Sequence, residues 1–313
     1  MRWVKQRKTI ATLSALVALA GCMPTSETAG PSRAIAPQPA IYTPSDSTLA
    51  LERYYGNLQA DLLTQGLLRT DGGGVDTPYS ARQLAQNYET IAFYDEYESG
   101  SWKRRQDGAP SKLRRWSVPV KVAVEFGNSV PVEQRQLDGT NVRLFAERLG
   151  RVTNHPIRMA PQDSANFNVL FMGYDDHGQM MQRLRQIVPQ MDPGSFRVIE
   201  TMPRSTHCLM LSYSAKHNAH DIRHSIVVIR AEHPDILRKS CVHEEMAQGL
   251  GLINDSLEAR PSIFNDNDEF AFLTTHDEQL LRMHYDPRLH IGMGLEEARP
   301  IIAQLAREAT GGS

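Results

Sequence analysis

The stretch 241–256 concentrates side chains that could do chemistry. His243 and Glu244 stand side by side, Glu245 follows, and Gln248 lies one helical turn further along. A catalytic zinc site on a helix needs two histidines four residues apart, with a glutamate beside the first to activate the bound water. Counted from His243, that spacing reaches position 247, which is an alanine. His243 therefore has no second histidine in this register.

A second register is set by the Leu-Gly-Leu bend at 250–252. It places Glu244, Gln248 and Asn254 at three ligand positions, Glu245 at the position of a general base, and a glycine at the turn. This pattern resembles the metzincin metalloproteases, whose motif runs His-Glu-x-x-His-x-x-Gly-x-x-His. The resemblance implies a zincin-like domain with a former substrate cleft. However, carboxylate and amide oxygens stand where all three imidazoles would be.

The exchange of ligand types decides what these positions could hold. Zinc favours imidazole and thiolate, whereas amide oxygens suit harder ions such as calcium. We therefore predict no zinc and no cofactor. Two interpretations stay open: a weak calcium site from Glu244, Gln248, Asn254 and Asp255, or a polar hydrogen-bond network that holds the end of the helix.

Acid–base chemistry without a metal needs two carboxylates across one substrate. Glu244 and Glu245 are adjacent, so on a helix they point about 100° apart and do not form a facing pair. A more distant partner is required, and Asp176, Asp255 and Asp266 are the candidates that the sequence offers.

Three further segments follow in the metzincin order. The run 167–171 resembles the strand at the sheet centre, 225–229 the edge strand above the cleft, and 273–285 the closing helix. The likeness covers about 102–285 and implies an α+β fold with a mixed sheet and packed helices. One departure is that 261–265, where the Met-turn is expected, contains no methionine.

A closer resemblance covers nearly the whole chain after residue 22. Four segments are similar to a family of bacterial envelope lipoproteins known only as a domain of unknown function: 66–71, 241–248, 254–255 and 285–289. This resemblance implies no activity.

The N-terminus predicts export and lipid attachment. Four basic residues precede a short apolar run over 10–19, and Leu-Ala-Gly-Cys follows at 19–22. This order resembles the lipobox of bacterial lipoproteins, and the run is too short to span a bilayer. We expect residues 1–21 to be a signal peptide and Cys22 to be lipidated. Because Met23 rather than an aspartate follows, we expect a periplasmic protein anchored in the outer membrane.

Export also bears on the two remaining cysteines. Cys208 and Cys241 form an even pair in an oxidising compartment, which favours a disulfide. Two buried thiols are the alternative.

Apolar periodicity predicts the elements that position these residues. Helices are expected over 47–67, 80–96, 136–152, 236–250, 274–285 and 296–308, and strands over 118–126, 167–172 and 225–230. Residues 22–46, rich in Pro, Ser, Thr and Ala, form a flexible tether. We expect a two-helix extension over 47–100, the zincin-like domain over 101–290, and a last helix and tail over 291–313.

Two other clusters have less to support them. His217, His220 and His224 would share a metal-binding face on a helix, but we interpret them as part of an exposed loop. The basic residues around 102–105 and 112–116 would suit phosphate or glycan, and we interpret them as solvated. A net charge of −2 gives no general attraction to nucleic acid.

The sequence therefore predicts a membrane-anchored periplasmic lipoprotein. Its metalloprotease-like domain is expected to be non-catalytic and to bind a peptide or an envelope protein, not nucleic acid. The alternative is an atypical metal-dependent peptidase or cell-wall hydrolase that uses Glu245 as its general base.

Overall fold

A computed structural model describes residues 42–95, 97–98, 101, 103 and 108–311. The predicted signal peptide, Cys22 and most of the predicted tether lie outside these residues, as does part of the basic cluster at 102–105. Within the described ranges, no helix has the length and apolar character needed to cross a membrane.

The described residues contain eight α-helices and six strands. The helices are α1 (Asp46–Thr64), α2 (Ala81–Phe93), α3 (Val132–Thr153), α4 (His177–Ile187), α5 (Pro193–Glu200), α6 (Asp235–Gln248), α7 (Thr275–His284) and α8 (Leu295–Ala309). The strands are β1 (Arg115–Trp116), β2 (Val120–Phe126), β3 (Ile157–Met159), β4 (Phe167–Met172), β5 (Cys208–Ala215) and β6 (Asn218–Arg230).

The strands form one sheet in the order β1-β6-β4-β2-β3, with β5 also paired to β6. All pairs are parallel except β5 with β6. The fold is therefore mixed α/β with a mostly parallel sheet. The metzincin resemblance predicted an α+β fold with a mixed sheet; the sheet is mixed, but it is mostly parallel, because helical crossovers such as α3, between β2 and β3, allow neighbouring strands to run parallel.

The edge strand is not the one that the sequence indicated. We expected the edge at 225–229, but this run lies within β6, between β4 and β5. A continuous apolar run is typical of a strand that is buried on both faces. The antiparallel edge strand is β5 instead.

The two faces of the sheet are covered by different helices. On β4, Val169 and Phe171 join the main core with α2, α3, α6, α7 and α8. Leu170 and Met172 point to the other face, where they pack with α4 and α5. Successive side chains of a strand point to opposite faces, so this short apolar run contributes to two helical layers.

The two predicted N-terminal helices have different surroundings. Leu84, Tyr88 and Ile91 of α2 are buried in the main core together with α7 and α8. By contrast, Leu62 of α1 belongs to a small separate cluster that includes Leu237 of α6. Thus α2 packs as part of the domain rather than as half of an extension before it.

Candidate functional site

The bend after α6 allows no side chain at its centre. Gly251 has a φ of +121°, and a Cβ there would lie 2.2 Å from the backbone carbonyl oxygen of Arg114. It would also lie 2.4 Å from Nε2 of His284, which donates a hydrogen bond to that same carbonyl at 2.8 Å. A glycine is needed because the chain turns against another backbone segment. This close approach fixes where the residues after α6 go.

A cavity of about 420 Å³ opens between α6 and the first half of β5. Its polar lining comes from three segments: Ser240, Glu244, Glu245 and Gln248 of α6, Ser205 to Cys208 at the start of β5, and Asp255, Asn265, Asp266 and Asp268 of the loop after α6. The motif helix therefore forms one wall of an open site, and the edge strand forms another.

A disulfide joins the two walls. Cys208, the first residue of β5, is bonded to Cys241 of α6. The predicted pairing is confirmed. Since Cys208 itself lines the cavity, the bond holds the end of the edge strand beside the motif helix.

The cavity is strongly acidic. Five carboxyl groups line it, those of Glu244, Glu245, Asp255, Asp266 and Asp268, whereas the described lining residues include no lysine or arginine. Burial, followed by the charges of Asp255 and Glu245, raises the pKa of Glu244 well above its ordinary value. Burial also raises the pKa of Asp268. Glu244 therefore keeps its proton to a higher pH than a solvated glutamate would.

Five of the predicted residues come together here. Glu244, Glu245, Gln248, Asp255 and Asp266 all line the cavity. Nε2 of Gln248 donates a long hydrogen bond to Oδ1 of Asp255, at 3.4 Å. Asn254 is directed elsewhere, because its Nδ2 donates to the carbonyl oxygen of Thr90 in α2 at 3.0 Å. The third ligand position of the metzincin pattern thus ties the loop after α6 to α2.

His243 points away from the cavity, into the core. Its Nδ1 accepts a hydrogen bond from the backbone N–H of Leu273 at 3.0 Å, and its ring stacks on Phe145 with 4.0 Å between centroids. Burial lowers the pKa of His243 to about 3. It is therefore a neutral core side chain at physiological pH.

These positions do not fit a zinc site. In the described part of the chain, no group of three or more His, Cys, Asp or Glu residues has an arrangement that could hold a metal ion. The interpretation as a calcium site also loses a ligand, since Asn254 does not line the cavity and its amide nitrogen donates to α2.

The remaining candidates lie elsewhere. Asp176 accepts hydrogen bonds from the backbone N–H groups of Ser129 and Gly173, which makes it a support for two loops. His220 and His224 lie in β6 rather than in a loop or helix, and Nε2 of His224 is 2.9 Å from Oδ1 of Asn168. The exposed loop that we expected is therefore wrong for His220 and His224.

Sequence reasoning missed two residues of the site, His207 and Asp268. Both line the cavity, and the charge of Asp268 opposes the lowering of the His207 pKa by burial. His207 precedes β5, which we did not predict. The acidic run 266–269 was a signal for Asp268, but nothing local indicated which surface it faces.

The comparison with protein families assigns the chain. Residues 81–304 match the family described as Protein of unknown function (DUF2927). The chain belongs to the DUF2927 family. The DUF2927 match begins at α2, ends within α8, and includes β5, α6 and the loop that carries Asp255, Asp266 and Asp268. No curated protein and no solved structure matches the chain.

Proposed function

We propose that this protein is a periplasmic lipoprotein, anchored to the membrane at Cys22, whose DUF2927 domain binds an extended basic peptide without cleaving it. The observation that carries this proposal is the acidic cavity beside β5. In the part of the chain that the structure describes, β5 pairs with β6 alone, so its other edge is not occupied by a strand.

An edge strand binds an extended peptide through main-chain hydrogen bonds, a mode that needs no metal. The pairing of β5 with β6 is regular from Cys208 to Tyr213, and irregularities begin after Tyr213. Met210 packs toward the main core, whereas Leu209 and Leu211 pack toward α4 and α5. A peptide added to β5 would likewise direct alternate side chains to the α6 face, over the cavity.

The negative charge of the cavity lining favours basic side chains in the bound peptide. Lysine and arginine complement a lining that contains five carboxyl groups. A bound cation also favours the ionised form of Glu244, whose pKa is raised in part by neighbouring carboxylates. We therefore expect basic peptides to bind more tightly as pH rises and more weakly as salt increases.

The metzincin-like interpretation supports the same mode. It requires an edge strand next to the motif helix, and β5 and α6 stand in that relation across the cavity. Under this proposal the chain has kept the substrate-binding wall of such a domain while Glu244, Gln248 and Asn254 have replaced the ligands that hold zinc.

The direct test uses fluorescently labelled ten-residue peptides with lysine, glutamate or serine at alternate positions. We expect saturable binding of the lysine peptide, measured by fluorescence anisotropy, and little binding of the glutamate peptide. Hydrogen exchange should slow at residues 208–213 when the lysine peptide is bound. Binding that leaves these amides unprotected would show that β5 is not the docking strand.

A matched pair of variants separates the cavity from overall charge. Asp268→Asn removes a carboxylate from the cavity, and asparagine tolerates the φ of +55° at this position. Asp163→Asn removes an exposed carboxylate elsewhere. We expect Asp268→Asn to weaken lysine-peptide binding by up to roughly fivefold, the upper end of the range for one exposed ion pair, and Asp163→Asn to leave it unchanged. Equal effects would contradict a specific acidic site.

The second candidate function is a hydrolase with Glu245 as general base. Its support is that Glu244, Glu245 and Asp255 line the same cavity and that the pKa of Glu244 is raised. A protonated Glu244 and an ionised neighbouring carboxylate could then act as general acid and general base. Peptide and cell-wall glycan cleavage should be assayed with and without zinc and a chelator. Cleavage that Glu245→Gln abolishes would replace the binding proposal with this one.

A further inference from the structure

A second cavity lies on the other side of the sheet. Its volume is about 190 Å³, and its floor and walls include Met172 of β4, Val228 of β6, Met180 of α4 and Ile199 of α5. All four side chains are buried in the apolar layer beneath α4 and α5. This cavity therefore offers an apolar pocket that is separate from the acidic site between α6 and β5.

The cavity is placed where sheets of this type often bind ligands. Met172 is the last residue of β4, and Arg230 is the last residue of β6, its parallel neighbour. Loops that follow the carboxyl ends of parallel strands diverge over the adjoining helices, and this leaves a crevice. Here α1 contributes Leu51 to the opening.

The rim carries an excess of positive charge. Arg204 and Arg230 line the cavity, as does the carboxylate of Glu200. The guanidinium of Arg204 lies 4.8 Å from the ring centre of Tyr54, and that of Arg230 donates to the carbonyl oxygens of Met202, Pro203 and Thr206. Across the described residues, neither arginine has a carboxylate within ion-pair distance.

One nearby acid, Glu232, does not line the cavity. Glu232 is buried, and its Oε1 accepts a hydrogen bond from the backbone N–H of Tyr174. Burial raises its pKa, so it favours the neutral form more than a solvated glutamate does. The two guanidinium groups thus outweigh Glu200 at the cavity mouth.

From these observations we propose that the second cavity binds a small apolar monocarboxylate. Its alkyl chain lies among Met172, Met180 and Val228, and its carboxylate lies at the mouth beside Arg204 and Arg230. The volume of about 190 Å³ is below the roughly 300–1,000 Å³ of sites for drug-sized ligands. The cavity therefore favours a short or medium alkyl chain over a long fatty acid.

Calorimetric titration of the purified protein with butanoate, hexanoate and octanoate tests the apolar part. We expect saturable binding, with affinity that rises by up to about fourfold for each methylene that enters the pocket. Octanol and octylamine test the charge, and both should bind more weakly than octanoate. Octanol binding as tight as octanoate, or no saturable binding of any carboxylate at millimolar concentration, would overturn the proposal.

Two arginine variants locate the carboxylate. Arg204→Gln removes one rim charge, and because this side chain is exposed the fold should be kept. Arg185→Gln is the matched control, since Arg185 also lies over an aromatic ring, that of Phe196, but does not line the cavity. We expect octanoate affinity to fall at least about tenfold in Arg204→Gln, as for a lost charged hydrogen bond, and to stay unchanged in Arg185→Gln. Equal affinities in the two variants would refute the assignment.

Discussion

The bond between Cys208 and Cys241 gives a stability prediction that can be worked out from the chain. Replacing both cysteines by alanine removes a crosslink that spans 33 residues. In the chain-entropy model, a loop of this length lowers the entropy of the unfolded chain by about 12.5 cal/mol/K, or about 3.7 kcal/mol at 25 °C. Alanine is the better replacement because Cys241 is buried, and serine would bury a hydroxyl there.

The assay is urea unfolding of the oxidised protein, the reduced protein and the double alanine variant. We expect the free energy of unfolding to fall by about 3.7 kcal/mol on reduction. The alanine variant should agree with the reduced protein to within about 1 kcal/mol, the difference reflecting the lost packing of two sulfur atoms. A domain whose stability is about 5–15 kcal/mol would still fold after this loss.

The same variant also tests the place of the bond in the site. Once Cys208 is released, the start of β5 keeps its pairing with β6 but loses its tie to α6. Hydrogen exchange should therefore become faster at 208–213 than in most of the sheet. A stability loss below about 1 kcal/mol, well short of the value for this loop length, would show that the unfolded chain is already compact or that the bond strains the fold.

Three more changes have defined outcomes in unfolding measurements. Glu244→Gln should stabilise the protein at pH 7 and have little effect near pH 4. Because the pKa of Glu244 is raised in the folded protein, wild-type stability falls by up to about 1.4 kcal/mol per pH unit once pH exceeds the pKa of this glutamate in the unfolded chain. If the free energy of unfolding depended on pH in the same way in the wild type and the variant, this would be contradicted. Gly251→Ala should cost roughly 2–4 kcal/mol because its Cβ meets a backbone carbonyl, whereas Gly178→Ala, a helical position with nothing within 4 Å, should be neutral or slightly stabilising. His243→Leu should cost about 1–3 kcal/mol at pH 8 by leaving a buried N–H unpaired. Because the pKa of His243 is about 3 in the folded protein, only the unfolded chain binds a proton there at pH 5, which lowers wild-type stability by up to about 1.4 kcal/mol per pH unit below the ordinary pKa. The loss should therefore be smaller at pH 5 than at pH 8, and an equal loss at both would refute the neutral role of His243.

Local sequence was sufficient for most of the elements in the main core. The predicted strand over 167–172 coincides with β4, and α6, α7 and α8 begin and end within two residues of their predicted bounds. Such segments have strong periodicity or continuous apolar runs. The helices α4 and α5 and the strand β5 were missed, and length alone does not explain this, because α7 and β4 are of similar length or shorter and were predicted.

What the sequence determined by itself about the site is its chemistry. The types of residue at 244, 248 and 254 exclude a three-histidine zinc site in any arrangement of that motif, and the two cysteines indicated their bond. These conclusions depend on which functional groups are present, and that is fixed before the chain folds.

Only the tertiary structure decided where these groups point. Asn254 lies six residues after Gln248, yet it bonds to α2 while Gln248 faces the cavity. Asp268 reaches the same cavity as Glu244 through a loop, and β5 rather than the run 225–229 forms the edge. Neighbours across a sheet and the path of a loop depend on packing between segments far apart in the chain, so no local pattern specifies them.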